Sequence, residues 1–519
     1  MNPIEFEIFK NLFVSIAEEM GEALKRTSFS PNIKERLDYS CAIYDAQAQT
    51  IAQGDHMPVH LGAMPLSVRA AIARGDMEPG DVIALNDPFR GGTHLPDITL
   101  VSPVFVGDSE RPSFYVANRA HHSDVGGMTP GSMPLASEVF QEGLIIPPVQ
   151  LVRRGEMDSD IASLIYANVR TPGEREGDLT AQIASNRVGE KRLRHIVDHY
   201  GIATVSQYAA AVQDYSERVM RSMIASIPDG EYVFEDSLDD DGFNKARVHI
   251  RVSVRIAGDE AIVDFTGSDR QTTGGINANF AITMSATLYV FRCLIQDDVL
   301  YNDGIARPIK VTALPGTVVN ALHPAAVAGG NVETSQRITD VVLGALSGPL
   351  RNLIPAASQG TMNNITLGGV DSRTGQAFAY YETIGGGMGA GAGASGLSGV
   401  HTHMSNSRNT PVEAIERYLP VRIRQYHLRR GSGGAGKFAG GDGIVREYEM
   451  LDRVSVTILS DRRERPPYGA AGGQPGEVGR NTLIRANGIE EKLPSKVRLI
   501  LNAGDRLRIE SPGGGGFGE

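Results

Sequence analysis

The sequence contains only two cysteines, Cys41 and Cys293, among its 519 residues. Two thiols cannot build the disulfide framework of a small secreted protein, and they cannot form a four-cysteine zinc site. Neither cysteine has a histidine close in sequence that would activate it as a nucleophile, and a Gly-x-Ser-x-Gly nucleophile elbow is absent. The sequence therefore indicates a reducing compartment, for which we expect the cytoplasm, and it does not indicate covalent catalysis.

Long apolar segments and an excess of basic charge are also lacking. A membrane-spanning helix needs roughly 20 consecutive apolar residues, and an apolar run near 284–295 is interrupted by Arg292. The first residues include Glu5 and Glu7, where a secretory signal would carry basic residues. The 61 acidic and 50 basic residues give a net charge of −11, which argues against nucleic acid or anionic lipid as the main partner. We expect a protein that neither spans nor enters a membrane.

Hydrophobic periodicity predicts a mixed α/β fold of the α+β kind with several domains. Apolar positions three and four residues apart predict an N-terminal helix over 3–26 and long helices within 179–227, and alternating positions predict strands over 231–270. We expect a metal-binding α/β region (1–155), a mainly helical segment (156–230), a mixed α/β region with a β-rich start (231–400) and a Gly-rich, β-containing C-terminal region (401–519).

Glycine is abundant, with 60 residues against a usual share of roughly 7 per cent. The segment 385–396 consists almost entirely of Gly, Ala, Met and Ser, which is the composition of a flexible linker. A loop pressed against a ligand or another backbone has the same composition. The segment 431–438 (GSGGAGKF) nearly matches a phosphate-binding loop, but Phe438 stands where that motif needs Ser or Thr for Mg²⁺. Glycine turns between strands explain that segment better.

Three of the twelve histidines and two aspartates fall within residues 94–124: His94, Asp97, His121, His122 and Asp124. Neutral imidazole and carboxylate suit Zn, Mn or Fe(II), and a ligand pair three residues apart can converge on one ion from a turn. Each residue alone has an ordinary explanation as a turn cap or a satisfied buried group. The cluster, flanked by two pairs of glycines, is harder to explain by packing.

Three further positions carry groups of the same chemistry. Asp38, before the first strand, can add a third carboxylate to the cluster. The segment 401–409 holds His401, His403 and Arg408, of which Arg408 can bind a carboxylate or phosphate bidentately, although a surface loop with Thr410 capping a helix over 411–418 is an equal alternative. The segment 331–337 is a similar case, in which Thr334 or Ser335 caps a helix or Asn331 lines a substrate cavity.

Four segments together resemble the hydantoinase B family: NDPFRGGTHLPD at 86–97, AHHSDVGG at 120–127, HTHMSNSRNTP at 401–411 and PGGGGFG at 512–518. This family comprises the B subunits of ATP-dependent hydantoinases and N-methylhydantoinases, the C-terminal part of 5-oxoprolinase, the B subunit of caprolactamase and the large subunit of acetone carboxylase. The resemblance covers essentially the whole chain.

The resemblance implies one divalent metal, Zn, Mn or Fe, held by Asp38, His94, Asp97 and His121. His121 and His122 are adjacent, so the second imidazole ligand stays open between them. The candidate catalytic residues are Asp124, His122, His403 and Arg408. The resemblance also implies a partner A subunit, an actin-like ATPase that binds Mg-ATP, in an A2B2 or higher hetero-oligomer.

The expected function is that of the B subunit of an ATP-dependent cyclic-amide hydrolase. An unstrained lactam or imide carbonyl is a poor electrophile, and phosphorylation of its oxygen from ATP creates a good leaving group once water has added. The resemblance implies that the A subunit phosphorylates a hydantoin-like or 5-oxoproline-like ring and that this chain completes the active site. The alternatives are a ketone carboxylase subunit of the acetone type and a non-catalytic scaffold with a structural metal.

Overall fold

A computed structural model describes residues 2–54 and 56–519. The N-terminal part contains a seven-stranded antiparallel sheet in the order β2-β1-β5-β4-β3-β6-β7. Its strands are β1 Tyr39–Asp45, β2 Thr50–Gln53, β3 Val82–Leu85, β4 Asp97–Val104, β5 Phe114–His121, β6 Val149–Arg153 and β7 Glu156–Met157. Every residue of β4 and β5 is buried, because helices cover both faces of the sheet.

Within the described residues, ten α-helices surround this and the other sheets. They are α1 Pro3–Thr27, α2 Pro31–Lys34, α3 Met64–Ala73, α4 Ser159–Ala167, α5 Pro172–Tyr200, α6 Ile202–Ala225, α7 Phe280–Leu294, α8 Asp303–Ala306, α9 Ser335–Leu346 and α10 Val412–Tyr418. The apolar side chains of α1, α5 and α6 share a core with one face of the first sheet, and α3 packs on the opposite face. None of the helices in 2–54 and 56–519 has both the length and the hydropathy of a membrane-spanning segment.

The rest of the chain forms three smaller sheets. The order β11-β10-β9-β8 makes a four-stranded sheet, β13-β12-β16-β19 a second, and β14-β15-β20-β17-β18 a five-stranded sheet. The strands are β8 Gly230–Leu238, β9 Val248–Ala257, β10 Glu260–Asp264, β11 Ile309–Thr312, β12 Asn364–Asp371, β13 Gln376–Glu382, β14 Val421–Arg429, β15 Gly443–Met450, β16 Val454–Leu459, β17 Arg480–Ile484, β18 Glu490–Leu493, β19 Lys496–Leu501 and β20 Arg506–Glu510. The mixed α/β, multidomain architecture expected from the sequence is thereby confirmed.

Three local features bear on the expectations from the sequence. Strand β12 pairs with β16, so one sheet joins residues on both sides of the boundary expected at residue 400. Helix α10 begins after Pro411 without a side-chain cap, so Thr410 does not cap it as the surface-loop alternative for this segment supposed. Helix α9 follows a π turn, Gly330–Thr334, and the hydroxyl of Thr334 donates to the carbonyl of Ile276 instead of capping the helix.

Four glycine-rich segments pack backbone against backbone in a cluster that we call the glycine layer: 385–396, 431–443, 469–476 and 511–518. Gly514 donates its N–H to the carbonyl of Gly441 and accepts one from Gly434, each at 2.9 Å. A Cβ at Gly514 would lie 2.1 Å from the carbonyl oxygen of Met388, which no side chain can tolerate. The linker interpretation of 385–396 is therefore wrong, and the close-backbone alternative holds. A Cβ at Gly434 would lie 2.1 Å from the carbonyl oxygen of Gln474, so other backbone occupies the space of a phosphate cradle.

Candidate metal centre

The pairing of β4 with β5 sets the geometry of the centre. Asp97 is the first residue of β4 and His121 the last residue of β5, and the antiparallel register places them opposite each other. The next pair on the same face is Thr99 with Arg119, and Thr99 accepts a hydrogen bond from the Arg119 guanidinium at 2.9 Å. A carboxylate and an imidazole thus meet at the end of a buried two-stranded ladder.

His94 completes a converging set of three ligand atoms. Its Nε2 lies 3.0 Å from Oδ1 of Asp97, and Nδ1 of His121 lies 3.3 Å from the same oxygen. Oδ1 of Asp97 nevertheless makes no hydrogen bond within the described residues. The other oxygen, Oδ2, accepts from the hydroxyl of Thr93 at 2.9 Å. The three atoms therefore converge without satisfying one another.

This arrangement fits a divalent metal. Ligand atoms of His94, Asp97 and His121 lie within 4.8 Å of one another, and all three residues are buried. Ligands bonded at about 2.1 Å around a tetrahedral ion lie roughly 3.4 Å apart, close to the spacing of these atoms. A buried carboxylate oxygen without a hydrogen bond is costly unless another group satisfies it. A bound cation would satisfy it.

The pKa shifts of Asp97 and His121 favour the forms of these two groups that coordinate a metal. Burial by itself would raise the pKa of the Asp97 carboxyl, but the imidazoles of His94 and His60 hold it well below its usual range. Burial lowers the pKa of His121, and Asp97 and Asp38 oppose that shift only in part. An ionised carboxylate and a neutral imidazole are the forms that coordinate metal.

His60 is a member of the centre that sequence reasoning did not assign. It ends the 3₁₀ turn Pro58–His60, its Nε2 lies 3.3 Å from Oδ2 of Asp97, and its Nδ1 lies 2.9 Å from the hydroxyl of Ser40. The sequence showed His60 only as a histidine of a loop, with no carboxylate at ligand spacing. Its approach to Asp97 depends on tertiary contacts.

A cavity of about 10 Å³ lies at the centre, which is room for one ion or one water. Asp38 lines it but does not join the three atoms that converge, and its carbonyl accepts the N–H of His121 at 3.0 Å. The wall also includes Asn331, Tyr381, Ser405 and Ser407. The sequence left two interpretations open for each of the segments 331–337 and 401–409. Residues of both segments line this cavity.

Tyr381 and Arg36 order the wall of the cavity. The Tyr381 ring stacks on His121 with centroids 4.4 Å apart and an interplanar angle of 18°. The Arg36 guanidinium lies 4.9 Å from the centroid of the same ring. It donates to the Tyr381 carbonyl at 2.8 Å and to the hydroxyls of Thr383 and Ser407. The fully buried Arg36 therefore ties the segment after α2 to the 401–409 loop.

His122 and Asp124 lie away from the converging atoms. Nε2 of His122 lies 2.9 Å from Oε1 of Gln182 on α5, and burial and Arg175 lower the pKa of His122 to about 4. Asp124 accepts from the backbone N–H groups of Gly126, Gly131 and Arg170 and pairs with the Arg170 guanidinium at 2.8 Å. Asp124 therefore organises its own loop.

The candidate catalytic residues of the 401–409 segment, His403 and Arg408, lie outside the cavity. Nδ1 of His403 lies 3.5 Å from the hydroxyl of Tyr289, and burial lowers the pKa of His403 to about 4. Arg408 is exposed, and its backbone N–H donates to the carbonyl of Arg36 at 3.0 Å. Neither side chain lines the cavity; the segment reaches the cavity through Ser405 and Ser407.

Asn331 and Arg337, both in the segment 331–337, contact different parts of the structure. Nδ2 of Asn331 lies 3.2 Å from Nε2 of His94. Arg337 is fully buried and pairs with Asp236 at 2.8 Å, Asp340 at 3.0 Å and Asp461 at 3.1 Å. These carboxylates raise the pKa of Arg337 against the effect of burial. Arg337 therefore joins α9 to β8 and to the segment after β16.

A family model described as Hydantoinase B/oxoprolinase matches residues 2–519. The chain belongs to this hydantoinase B family. Its sequence is 40% identical to 5-oxoprolinase 1 of Arabidopsis thaliana over 99% of the chain, but it spans only 42% of that protein. It is 32% identical to the B component of a putative D-/L-hydantoinase of a Pseudomonas species, over 100% of the chain and 90% of that protein.

Among solved structures, the hydantoinase B chain is similar to the ATP-dependent caprolactamase from Pseudomonas jessenii. The TM-score is 0.92 at 29% sequence identity, and the match covers 100% of this chain and 91% of the caprolactamase chain. The relatives therefore include cyclic-amide enzymes whose chains are of similar length and others that are more than twice as long.

Proposed function

We propose that this chain is the metal-binding B-type component of an ATP-dependent cyclic-amide hydrolase. The observation that supports this most directly is the convergence of His94, Asp97 and His121, with an unpaired carboxylate oxygen, in a buried cavity of a hydantoinase B chain. His94, Asp97 and His121 would hold the ion, and Asp38 on the cavity wall is the proposed fourth ligand. A bound divalent metal would polarise a carbonyl or lower the pKa of a water.

The chain's own residues prepare this site in two ways. Thr93 donates a hydrogen bond to Oδ2 of Asp97, and Nε2 of His60 lies 3.3 Å from the same oxygen, which leaves Oδ1 to face the two imidazoles. The 10 Å³ cavity has no room for a lactam ring. Ser405 and Ser407 line the same cavity and are the proposed contacts of the ring carbonyl.

We further propose that an ATP-binding A-type component phosphorylates the ring oxygen. The long relative 5-oxoprolinase 1 carries more than half of its length outside the part that this chain matches, and the hydantoinase relative is by name the B component of its enzyme. Both facts support a second component that is joined to or associates with this one. The candidate rings are 5-oxoproline, a hydantoin or another lactam.

The test measures bound metal and ATP-dependent ring opening for the wild type and Asp97→Ala, each with its A-type partner. Asp505→Ala is the matched control, because Asp505 is also buried but accepts backbone N–H groups of Ala486 and Asn502 near the five-stranded sheet. We expect Asp97→Ala to lose metal and activity together, and Asp505→Ala to keep both.

Three outcomes would contradict the proposal. Loss of metal with retained hydrolysis would make the ion structural. Ring opening by this chain alone, without ATP or partner, would exclude the shared mechanism. Consumption of acetone that depends on bicarbonate, without lactam hydrolysis, would assign the chain to the ketone carboxylase alternative.

A further inference from the structure

Glu333 is a fully buried carboxylate on the π turn that precedes α9. Its Oε1 accepts the N–H of Met362 at 3.0 Å and the side-chain amide of Asn364 at 2.7 Å. Its Oε2 has no hydrogen-bond partner within the described residues. Single π turns inside or next to α-helices occur frequently at functional sites. A carboxylate in such a position requires an explanation beyond packing.

The first route from Glu333 leads to His121. Asn364 donates its amide N–H groups to Glu333 and to the carbonyl of Leu459 at 2.7 Å, so its oxygen faces the other way. That oxygen accepts the hydroxyl of Tyr381 at 2.8 Å. The Tyr381 ring is the surface on which the His121 imidazole stacks. Two hydrogen bonds therefore connect Glu333 to the ring that orients a metal-binding imidazole.

The second route leads to His94 through the backbone. Asn331 lies two residues before Glu333 on the same π turn, and its side-chain amide lies 3.2 Å from Nε2 of His94, the nitrogen that would bind the ion. Asn331 therefore bounds the ion site on the side of His94. The two hydrogen bonds at Oε1 of Glu333 hold the turn against the segment that contains Met362 and Asn364. The π turn and β13 thus carry Asn331 and Tyr381, the neighbours of His94 and His121.

We propose that Glu333 is a positioning residue of the metal centre, which fixes Tyr381 through Asn364 and Asn331 through the π turn. The inference rests on the proposed function, because it assumes that His94 and His121 hold a metal. Groups in the outer shell of a metal site orient the ligands, and their loss typically weakens metal binding 10- to 100-fold. Glu333 does not contact the ligands themselves; it acts on their neighbours, through Asn364 and Asn331.

The conservative variant is Glu333→Gln. Burial and the nearby Asp461 raise the pKa of Glu333 to about 7, so a neutral amide resembles the protonated acid in charge and shape. The glutamine oxygen can still accept from Met362 and Asn364. Glu333→Ala removes both hydrogen bonds.

The experiment titrates the purified full chain with Co²⁺ and records affinity and the visible absorption spectrum, which reports ligand geometry. We expect Glu333→Ala to bind Co²⁺ roughly 10-fold more weakly with a shifted spectrum, and Glu333→Gln to stay within about threefold of the wild type. Glu447→Ala is the matched control, because Glu447 is a fully buried carboxylate that pairs with Arg506 and Arg508 in the five-stranded sheet. The Glu447→Ala variant should be less stable than the wild type but should keep its Co²⁺ affinity and spectrum.

Tyr381→Phe tests the route itself and serves if Glu333→Ala does not fold. It removes only the hydroxyl that Asn364 holds, and we expect it to shift the Co²⁺ spectrum. In the Tyr381→Phe background, Glu333→Ala should have a smaller effect than in the wild type. Unchanged spectra in Tyr381→Phe and Glu333→Ala, or effects that simply add, would overturn this inference alone. A wild-type chain that binds no Co²⁺ would overturn the proposed function as well.

Discussion

The adjacent histidines His121 and His122 provide the sharpest test of the metal centre. His121 is the last residue of β5 and directs Nδ1 to Asp97, at 3.3 Å. His122 directs Nε2 to Gln182 on the helix that covers the other face of the sheet, at 2.9 Å. The amide nitrogen of Gln182 already donates to Ile98 and Asn118, so its oxygen faces His122 and the His122 Nε2 carries the proton. We therefore expect His121→Ala and His122→Ala to separate metal binding from stability.

The expected loss for His121→Ala follows from the number of ligands. Structural Zn²⁺ with four ligands binds with about 10–16 kcal/mol, which is roughly 2.5–4 kcal/mol for each ligand. The loss of one ligand then weakens binding by roughly 10²- to 10³-fold. His122→Ala removes a neutral hydrogen bond and leaves the oxygen of Gln182 unsatisfied, which costs about 1–3 kcal/mol of folding free energy. It should leave the metal affinity within about threefold of the wild type.

The assay is a competition between the protein and a chelating dye for Zn²⁺, with urea unfolding in EDTA as the stability control. The reasoning would be refuted if both variants lost affinity equally, because then the opposite orientation of the two rings would have no consequence. It would also be refuted if His122→Ala alone lost the metal, since His122 would then be the ligand.

Three further predictions concern a ligand, a buried acid and the glycine layer. Asp38→Ala should weaken Zn²⁺ binding by roughly 10²-fold in the dye assay if Asp38 is the fourth ligand; an unchanged affinity would leave three protein ligands. Burial raises the pKa of Glu142 to about 8. The contribution of Glu142 to folding stability is therefore present below its unfolded pKa near 4.3, and it is lost as the pH rises towards 8. Urea midpoints should therefore fall more between pH 5 and 8.5 in the wild type than in Glu142→Gln, and equal falls would exclude this role. A Cβ at Gly387 would lie 2.0 Å from the Gly441 oxygen, whereas one at Gly173 meets nothing within 4 Å. Gly387→Ala should thus destabilise the chain by about 1–3 kcal/mol or more in urea unfolding, Gly173→Ala should not, and similar midpoints would contradict the packed layer.

The sequence predicted those parts of the centre that local spacing determines. His94 and Asp97 lie three residues apart in one turn, so their convergence needs no tertiary information. The choice between His121 and His122 depends on where β5 ends and which residue pairs with Asp97, and the sequence does not specify that register. His60 was missed for a related reason. It has no acidic neighbour at ligand spacing, and only the folding of its loop onto β4 brings it to Asp97.

The glycine-rich segments show why composition alone cannot separate a linker from a packed backbone. The segment 385–396 has the composition of both. Its packing partners are Gly441 and residues 512–516, which lie far away in sequence. The helices and strands, in contrast, repeat an apolar pattern within a few residues. Helix α1 ends at Thr27 where residue 26 was expected, and α6, Ile202–Ala225, lies within the expected helical stretch 179–227.

The glycine layer and the candidate metal centre are connected parts of one structure. Gly386 exchanges two backbone hydrogen bonds with Val400, each at 2.9 Å, and the hydroxyl of Ser511 donates to the carbonyl of Gly385 at 2.7 Å. The segment 401–409 begins directly after Val400 and places Ser405 and Ser407 on the cavity wall. Because backbone contacts in the layer cannot adjust to added side chains, they fix the point from which this segment leaves. The C-terminal glycines therefore help to determine where the cavity wall lies, although they are remote in sequence from His94 and Asp97.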